Sequence, residues 1–331
     1  MARIFSGIQP TSESFHIGNY FGALRHWVAL QEDNEAFYCV VNQHAITIPV
    51  DPDLQRQRTR VSFAQLLATG VDPERSTLFV QSDVPAHSQL AWLMMCLTGF
   101  GEASRMTQFK DKTAKGDAGS ASVGLFTYPC LQAADILAYQ AAAVPVGEDQ
   151  RQHLELTRDL AERFNTRYGQ TFVVPRAHIV KDSAKILDLQ DPAAKMSKSV
   201  PAGCVFLLDP PKQITKKIKS AVTDSETEVR YDPQAKPGVS NLLTILAAAT
   251  DRTVQQVEGE FAGGMYGPLK AATAEAVVAL IEPIAQRTRE LLDDPAELDR
   301  LMQLGAQRAH ETAAPTIEAA YTAMGLRTRT A

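Results

Sequence analysis

The sequence predicts an α/β protein: an open, mostly parallel, doubly wound sheet followed by a helical second domain. Three observations carry that prediction. Short apolar runs alternate with helix-like segments through the first half of the chain. Strand signals fade after about Pro211, where long helix patterns take over. The length of 331 residues suits two domains at roughly 100–200 residues each.

Taken in order, Arg3–Ser6, Ala36–Val41, Thr77–Gln81 and Ala143–Val146 read as buried strands. Between the first two, Tyr20–Leu30 reads as a helix. Asp51-Pro52 opens another, with Asp51 as N-cap and Pro52 at the first helical position, and Gly70 ends it. Gln150–Phe164 carries Leu154, Leu156, Leu160 and Phe164 as an imperfect helical stripe. Lys110–Ser122 has the composition of a long functional loop. Ser240–Thr250, Val254–Phe261, Leu269–Leu292 and Ala296–Met324 read mainly as helices. The domain boundary falls between Pro201 and Pro211, giving residues 1–205 as the nucleotide-type domain and 206–331 as the helical one.

Composition excludes several classes. Hydrophobic residues make up 45%, ordinary for a globular core, and no apolar run approaches the ~20 residues of a membrane span. The N-terminus lacks the apolar core of a secretion signal, so a cytoplasmic location is expected. Cys39, Cys96, Cys130 and Cys204 are far apart and form no CxxC pair, which argues for reduced thiols and against a zinc cage. A net charge of −5 argues against non-specific polyanion binding and leaves a specific RNA partner open.

Two motifs carry chemistry. Ser6-Gly7-Ile8-Gln9-Pro10-Thr11 follows the first strand, and His16-Ile17-Gly18-Asn19 then opens a helix. A helix N-terminus offers free N–H groups to an anion, Gly18 permits close approach, and His16 and Asn19 add donors for a phosphate or purine. An ordinary strand–loop–helix with a capping His is the plainer alternative. A dehydrogenase-type dinucleotide site is poorer still, because no GxGxxG follows the strand and Gly99-Phe100-Gly101 is followed by Ser104 where a third glycine would stand. The second motif, Lys195-Met196-Ser197-Lys198-Ser199, sits in a loop between Asp191-Pro192 and Pro201. Two ammonium groups with hydroxyls between them suit a polyphosphate that gains charge as it leaves.

Together, His16–Asn19 and Lys195–Ser199 resemble the two signatures of class I aminoacyl-tRNA synthetases, with Asn19 in the place of the more usual second His. Phe5–Pro10, Gln43–Thr47, Arg105–Lys110, Val144–Gln150, Ala221–Ser225 and Gly238–Leu243 resemble bacterial tryptophanyl members in the same order. The likeness spans roughly residues 3–325. It implies a Rossmann-like catalytic domain, an anticodon-binding helical domain, and a two-step reaction. L-tryptophan and ATP would form tryptophanyl-adenylate and pyrophosphate, and tryptophan would then pass to the 3′ end of tRNA(Trp). It also implies a homodimer and Mg2+ carried by the ATP phosphates, with no metal ligands from side chains.

The resemblance also assigns residues. Gln9, Pro10, Thr11, Gly18 and Asn19 would line the ATP site with Met196, Ser197 and Ser199. Gly147, Glu148 and Asp149 would hold the ribose, and Ile186 would meet adenine through its backbone. His16, Lys112, Lys195 and Lys198 would serve the phosphates.

Tyr128, Gln132 and Asp135 share one helix face at i, i+4, i+7. Asp135 lies in an apolar stretch, where a carboxylate needs a donor. An indole N–H is donor only, so the two are complementary. Phe5, Val40, Val144 and Val146 would wall the amino-acid pocket, and Tyr128 and Gln150 would accept from the α-amino group. His44 could close the pocket or be a satisfied core histidine.

Two departures stand out: Gln132 replaces the usual bacterial Met, and Asn42 replaces Asp. They keep a tyrosine-specific ligase and a non-charging accessory paralogue open as alternatives. A small-molecule adenylyltransferase fits less well, because those are shorter single domains. Lys212, Lys216, Lys217 and Lys219, with Arg176, Lys181, Lys185, Arg327 and Arg329, supply positive charge for RNA or form a solvated surface.

Overall fold

The runs Ala36–Val40 and Leu78–Val80 are buried on both faces, as strands of a parallel sheet covered by helices on both sides must be. The computed structural model describes residues 1–106, 122–147, 150–179, 184–198 and 200–326. Its sheet comprises β1 (Ala2–Ile8), β2 (Asn34–Val40), β3 (Thr77–Val80), β4 (Ala143–Val146) and β5 (Arg176–Ile179). All are parallel, in the order β3-β2-β1-β4-β5. That is the Rossmann-like, doubly wound arrangement expected, with its reversal between β1 and β4. β1 pairs with β2 from Ala2↔Asn34 to Ile8↔Val40, whereas among the described residues its pairing with β4 is confined to Ile4↔Ala143. Room therefore opens beyond the carboxyl ends of β1 and β4.

β5 escapes the sequence pattern. It is a four-residue edge strand, Arg-Ala-His-Ile, just after Pro175, too polar to read as a buried run. The segment after β1 also differs from a plain helix. Ile17–Asn19 (α1) leads into a π-helical turn at Tyr20–Leu24 before Arg25–Leu30 (α2). Such turns often mark functional sites.

A short turn, α3 (Asn42–Ala45), follows β2. The next helix, α4 (Pro52–Ala68), starts as read: Asp51 accepts from the Asp53 and Leu54 N–H groups, and Gly70 leaves the helix end at φ +106. After β3 come α5 (Ala86–Leu97), α6 (Phe100–Ser104) and α7 (Val123–Leu137), the last capped by Ser122; α8 (Arg151–Tyr168) follows β4.

Alternate strand residues feed two cores. Ile4, Ala36, Tyr38 and Val40 join one cluster, and Phe5, Phe37, Cys39 and Val41 join the other. The later helices are α9 (Pro211–Lys219), α10 (Pro237–Ala249), α11 (Val254–Phe261), α12 (Tyr266–Asp293) and α13 (Pro295–Ala323). α9 to α12 continue the first core, while Ala309, Ala313, Ile317 and Ala320 of α13 return to the second. Residues on the two sides of position 205 thus share cores. None of the described helices is long and apolar enough to cross a membrane. The four cysteines are free, and Cys39, Cys130 and Cys204 are buried.

Candidate functional site

The two motifs meet because the chain after Lys198 runs back along the turn after β1. Ile17 N–H donates to Val205 O, Leu207 N–H donates to Phe15 O, and His16 forms an antiparallel bridge with Phe206. The lysine loop is held from the other side too. Leu187 bridges Lys195, Met196 N–H donates to Ile186 O, and buried Asn241 of α10 bonds both the N–H and the O of Leu187. Gly203 packs on Asp188: a Cβ there would lie 1.7 Å from Asp188 Oδ1.

The result is a cleft of about 1660 Å³. It brings together Thr11, His16, Gly18, Asn19, Gly147 and Ile186 with Lys195, Met196, Ser197 and Lys198. Lys198 Nζ lies 3.3 Å from Thr11 Oγ1 and sits over the Phe15 ring. Burial pushes its ammonium down to about 8, and the nearby Arg58 charge adds to that. His16 is held down to about 4 by burial and by the Lys198 and Lys195 charges, so it is neutral at pH 7. Its Nδ1 accepts from Asn19 N–H at 3.3 Å, while Asn19 Oδ1 accepts from His16 N–H at 3.2 Å. Nε2 is then the protonated nitrogen and a donor. Asn19 therefore closes the turn rather than reaching out with its side chain. Gly18 lies under the ring, where a Cβ would come within 2.9 Å of His16 Nδ1.

A second cavity of about 420 Å³ lies beside the first. It is lined by Phe5, Gln9, His44, Tyr128, Gln132, Asp135, Val144 and Gln150, among others. Gln9 faces this smaller space rather than the cleft, and buried Pro10 lines neither. Val40 is absent too. Its side chain belongs to the core on the opposite face of the sheet, and Val41 takes the place at the cavity, since neighbouring strand residues point opposite ways. Lys112, Glu148, Asp149 and Ser199, and the side chain of Val146, lie outside the described residues, as do Lys181, Arg327 and Arg329.

Asp135 is fully enclosed and has three side-chain donors. Oδ1 accepts from Gln81 Nε2 at 2.7 Å and lies 2.6 Å from His87 Nδ1, and Oδ2 lies 2.7 Å from His44 Nε2. Burial opposes ionisation, but the electrostatic attraction and hydrogen bonds of the His44 and His87 ring N–H groups outweigh it and hold the carboxyl well below its usual range. His44 thus both lines the cavity and is a satisfied buried histidine. Tyr128 OH lies 2.9 Å from His153 Nε2, and burial pushes its phenol up to about 12. Gln132 Nε2 donates to Gln150 Oε1 at 3.3 Å. Asn42 lines neither cavity: it donates to Ser82 Oγ and accepts from Ser82 N–H, tying the ends of β2 and β3.

Sequence reasoning missed Gln81, His87, His153 and Arg58. The first three are buried polar residues in apolar or mixed stretches, where only a search for unpartnered core polar groups would have flagged them. Arg58 sits in the polar first half of α4, among Gln55, Arg56, Gln57 and Arg60, and gave no signal at all. Of the four lysines around α9, Lys217 is committed to Asp209 at 2.7 Å, whereas Lys212, Lys216 and Lys219 are exposed.

Comparison with known proteins bears on the same chemistry. The family described as tRNA synthetases class I (W and Y) matches residues 1–282. Tryptophan–tRNA ligase 2 of Streptomyces avermitilis is 61% identical over 325 residues, covering 98% of this chain and 96% of that one. Tryptophan–tRNA ligase of Mycobacterium leprae is 57% identical over 330 residues, with the same coverage of 98% and 96%. The crystal structure of tryptophanyl-tRNA synthetase from Mycoplasma pneumoniae superposes with a TM-score of 0.90 at 39% identity, covering 99% of this chain and 98% of that one. The Campylobacter jejuni enzyme, solved with ADP and tryptophan, gives 0.85 at 34% identity, with 98% and 100% covered. The chain therefore belongs to the tryptophanyl-tRNA synthetases, class I enzymes that ligate tryptophan to tRNA.

Proposed function

We propose that the smaller cavity holds L-tryptophan and the cleft holds ATP, so that the amino-acid carboxylate meets the α-phosphate at their shared wall. The observation that carries this reading is the wall itself. Gln9 lines one cavity and Thr11 the other, and Pro145 lines one and Gly147 the other. Reactants bound on either side would be held against each other, which would remove much of the entropic cost of bringing them together.

In the first step the carboxylate attacks the α-phosphate and pyrophosphate leaves. Lys195 and Lys198 stabilise its growing charge, neutral His16 donates from Nε2, and Lys112 reaches the phosphate tail. Ile186 meets adenine through its backbone, and Gly147, Glu148 and Asp149 hold the ribose. Asp135 accepts from the indole N–H. In the second step the terminal 2′-hydroxyl of tRNA(Trp) attacks the adenylate's carbonyl carbon, the tryptophanyl ester forms and AMP leaves. No group of three or more acidic, His or Cys side chains among the described residues could hold a metal. Mg2+ would arrive on the ATP phosphates beside Lys195 and Lys198 and neutralise part of the phosphates' charge.

Exposed Lys212, Lys216 and Lys219 are candidates for tRNA phosphates, with 206–331 as the anticodon-binding domain. A homodimer is supported by the apolar side chains that α5, α6 and α7 expose: Trp92 at 65%, Phe100 at 80% and Val123 at 77%. The site of action is the cytoplasm.

ATP–pyrophosphate exchange, run with each of the twenty amino acids and no tRNA, tests the reading. Exchange with tryptophan alone is expected. Strong exchange with tyrosine instead would overturn the tryptophan reading and mean that Gln132 has redirected the pocket.

A further inference from the structure

Behind the smaller cavity lies a buried polar chain that the reaction as derived does not use. His87, fully buried on α5, has Nδ1 2.6 Å from Asp135 Oδ1 and Nε2 2.8 Å from the Tyr139 hydroxyl. With Asp135 ionised, Nδ1–H donates to it, and in the neutral ring Nε2 then accepts from Tyr139 O–H. Gln81 is oriented in the same way: its Oε1 accepts from Gln43 N–H at 2.9 Å, which turns its amide N–H toward Asp135. Tyr139 is wedged between Phe5, Phe37 and Phe79, with ring centroids 5.6, 4.8 and 5.4 Å away. Packed this tightly, the chain leaves little room for a water to replace either donor. Phe5 stacks on Tyr139 and also lines the cavity, so the chain and the cavity wall form one packed unit.

An ionised carboxylate offers about four acceptor positions. Gln81 and His87 occupy both on Oδ1, and His44 occupies one on Oδ2. One position on Oδ2 remains, on the oxygen that His44, a cavity-lining residue, also reaches.

We infer that Tyr139, His87 and Gln81 form a clamp behind Asp135 that leaves it one acceptor site. That restriction sets the pocket to read a single N–H donor and to reject side chains of the same shape that lack one. His87 is a positioning residue, since it acts through Asp135 and does not line the cavity. The inference rests on Asp135 accepting the indole N–H.

The test compares L-tryptophan with L-3-benzothienylalanine, which keeps the fused-ring shape but carries sulfur in place of N–H, in ATP–pyrophosphate exchange. The intact enzyme should prefer tryptophan by on the order of 10²-fold or more in kcat/KM, because the analogue leaves a buried acceptor unpaired. No preference in the intact enzyme would instead sink the reading of Asp135 itself. In His87→Phe the preference should shrink about tenfold, the effect of one lost bond to a charged group, through the KM for tryptophan. The KM for ATP should hold. His87→Asn, whose amide nitrogen can stand in for Nδ1, should restore the preference. Tyr139→Phe removes only a hydroxyl and should shift the preference in the same direction, by less; it also serves if His87→Phe fails to fold. Equal losses for both amino acids in these variants, or an unchanged preference in folded Tyr139→Phe, would overturn the clamp and leave a packing role alone.

Discussion

The smaller cavity presents a carboxylate whose donors are already in place, whereas the cleft beside it presents cations awaiting a partner. Asp135 is bonded by Gln81, His87 and His44. Among the described residues, Lys198 reaches a hydroxyl and an aromatic face, and the Arg58 Nε is buried without a hydrogen-bond partner. The contrast shows two uses of charge at one sheet switch point. A charge fixed by its own protein selects a ligand through the one position left open. Charges left mutually repelling, in a half-buried cleft, bind an anion that relieves them.

The largest effect is expected from Asp135→Asn. Its amide nitrogen would confront donors on every side, and kcat/KM for tryptophan should fall by on the order of 10³ or more while ATP still binds. Lys198→Ala should lower the exchange rate about 10²–10³-fold with tryptophan binding nearly unchanged, as measured by single-turnover adenylate formation. Gly18→Ala places a Cβ against the His16 ring. Displacing that donor should cost about 10- to 100-fold in kcat, with tryptophan KM unaffected.

The mildest test is pH. Lys198 is a cation below about 8 and loses its proton above it. ATP affinity should therefore weaken severalfold from about pH 7 to about pH 9, and binding at the upper end should take up a proton, as calorimetry in two buffers would report. Lys198→Arg, which stays charged, should flatten the curve.

Much of this contrast was legible in the sequence. The apolar runs of β1 to β4, the Asp51-Pro52 helix start and the two motifs carry local signals that survive folding. Tyr128, Gln132 and Asp135 could be placed on one face because helical spacing alone decides it. What could not be read depends on long-range partners. β5 is an edge strand with a polar pattern. Val40 and Val41 look alike until strand pairing decides which faces the cavity. Gln81 and His87 lie 54 and 48 residues from Asp135, so nothing local links them to it. Asn42 shows the same limit from the other side: it stands out in sequence, yet the fold uses it to tie two strand ends.

The most direct test of the division between the cavities is to measure tryptophan and ATP binding separately, by equilibrium dialysis, on Asp135→Asn and Lys198→Ala. The account predicts that the first variant loses tryptophan and keeps ATP, and that the second keeps tryptophan and binds ATP more weakly. Loss of both ligands in either folded variant, or normal tryptophan binding without the Asp135 carboxylate, would contradict it.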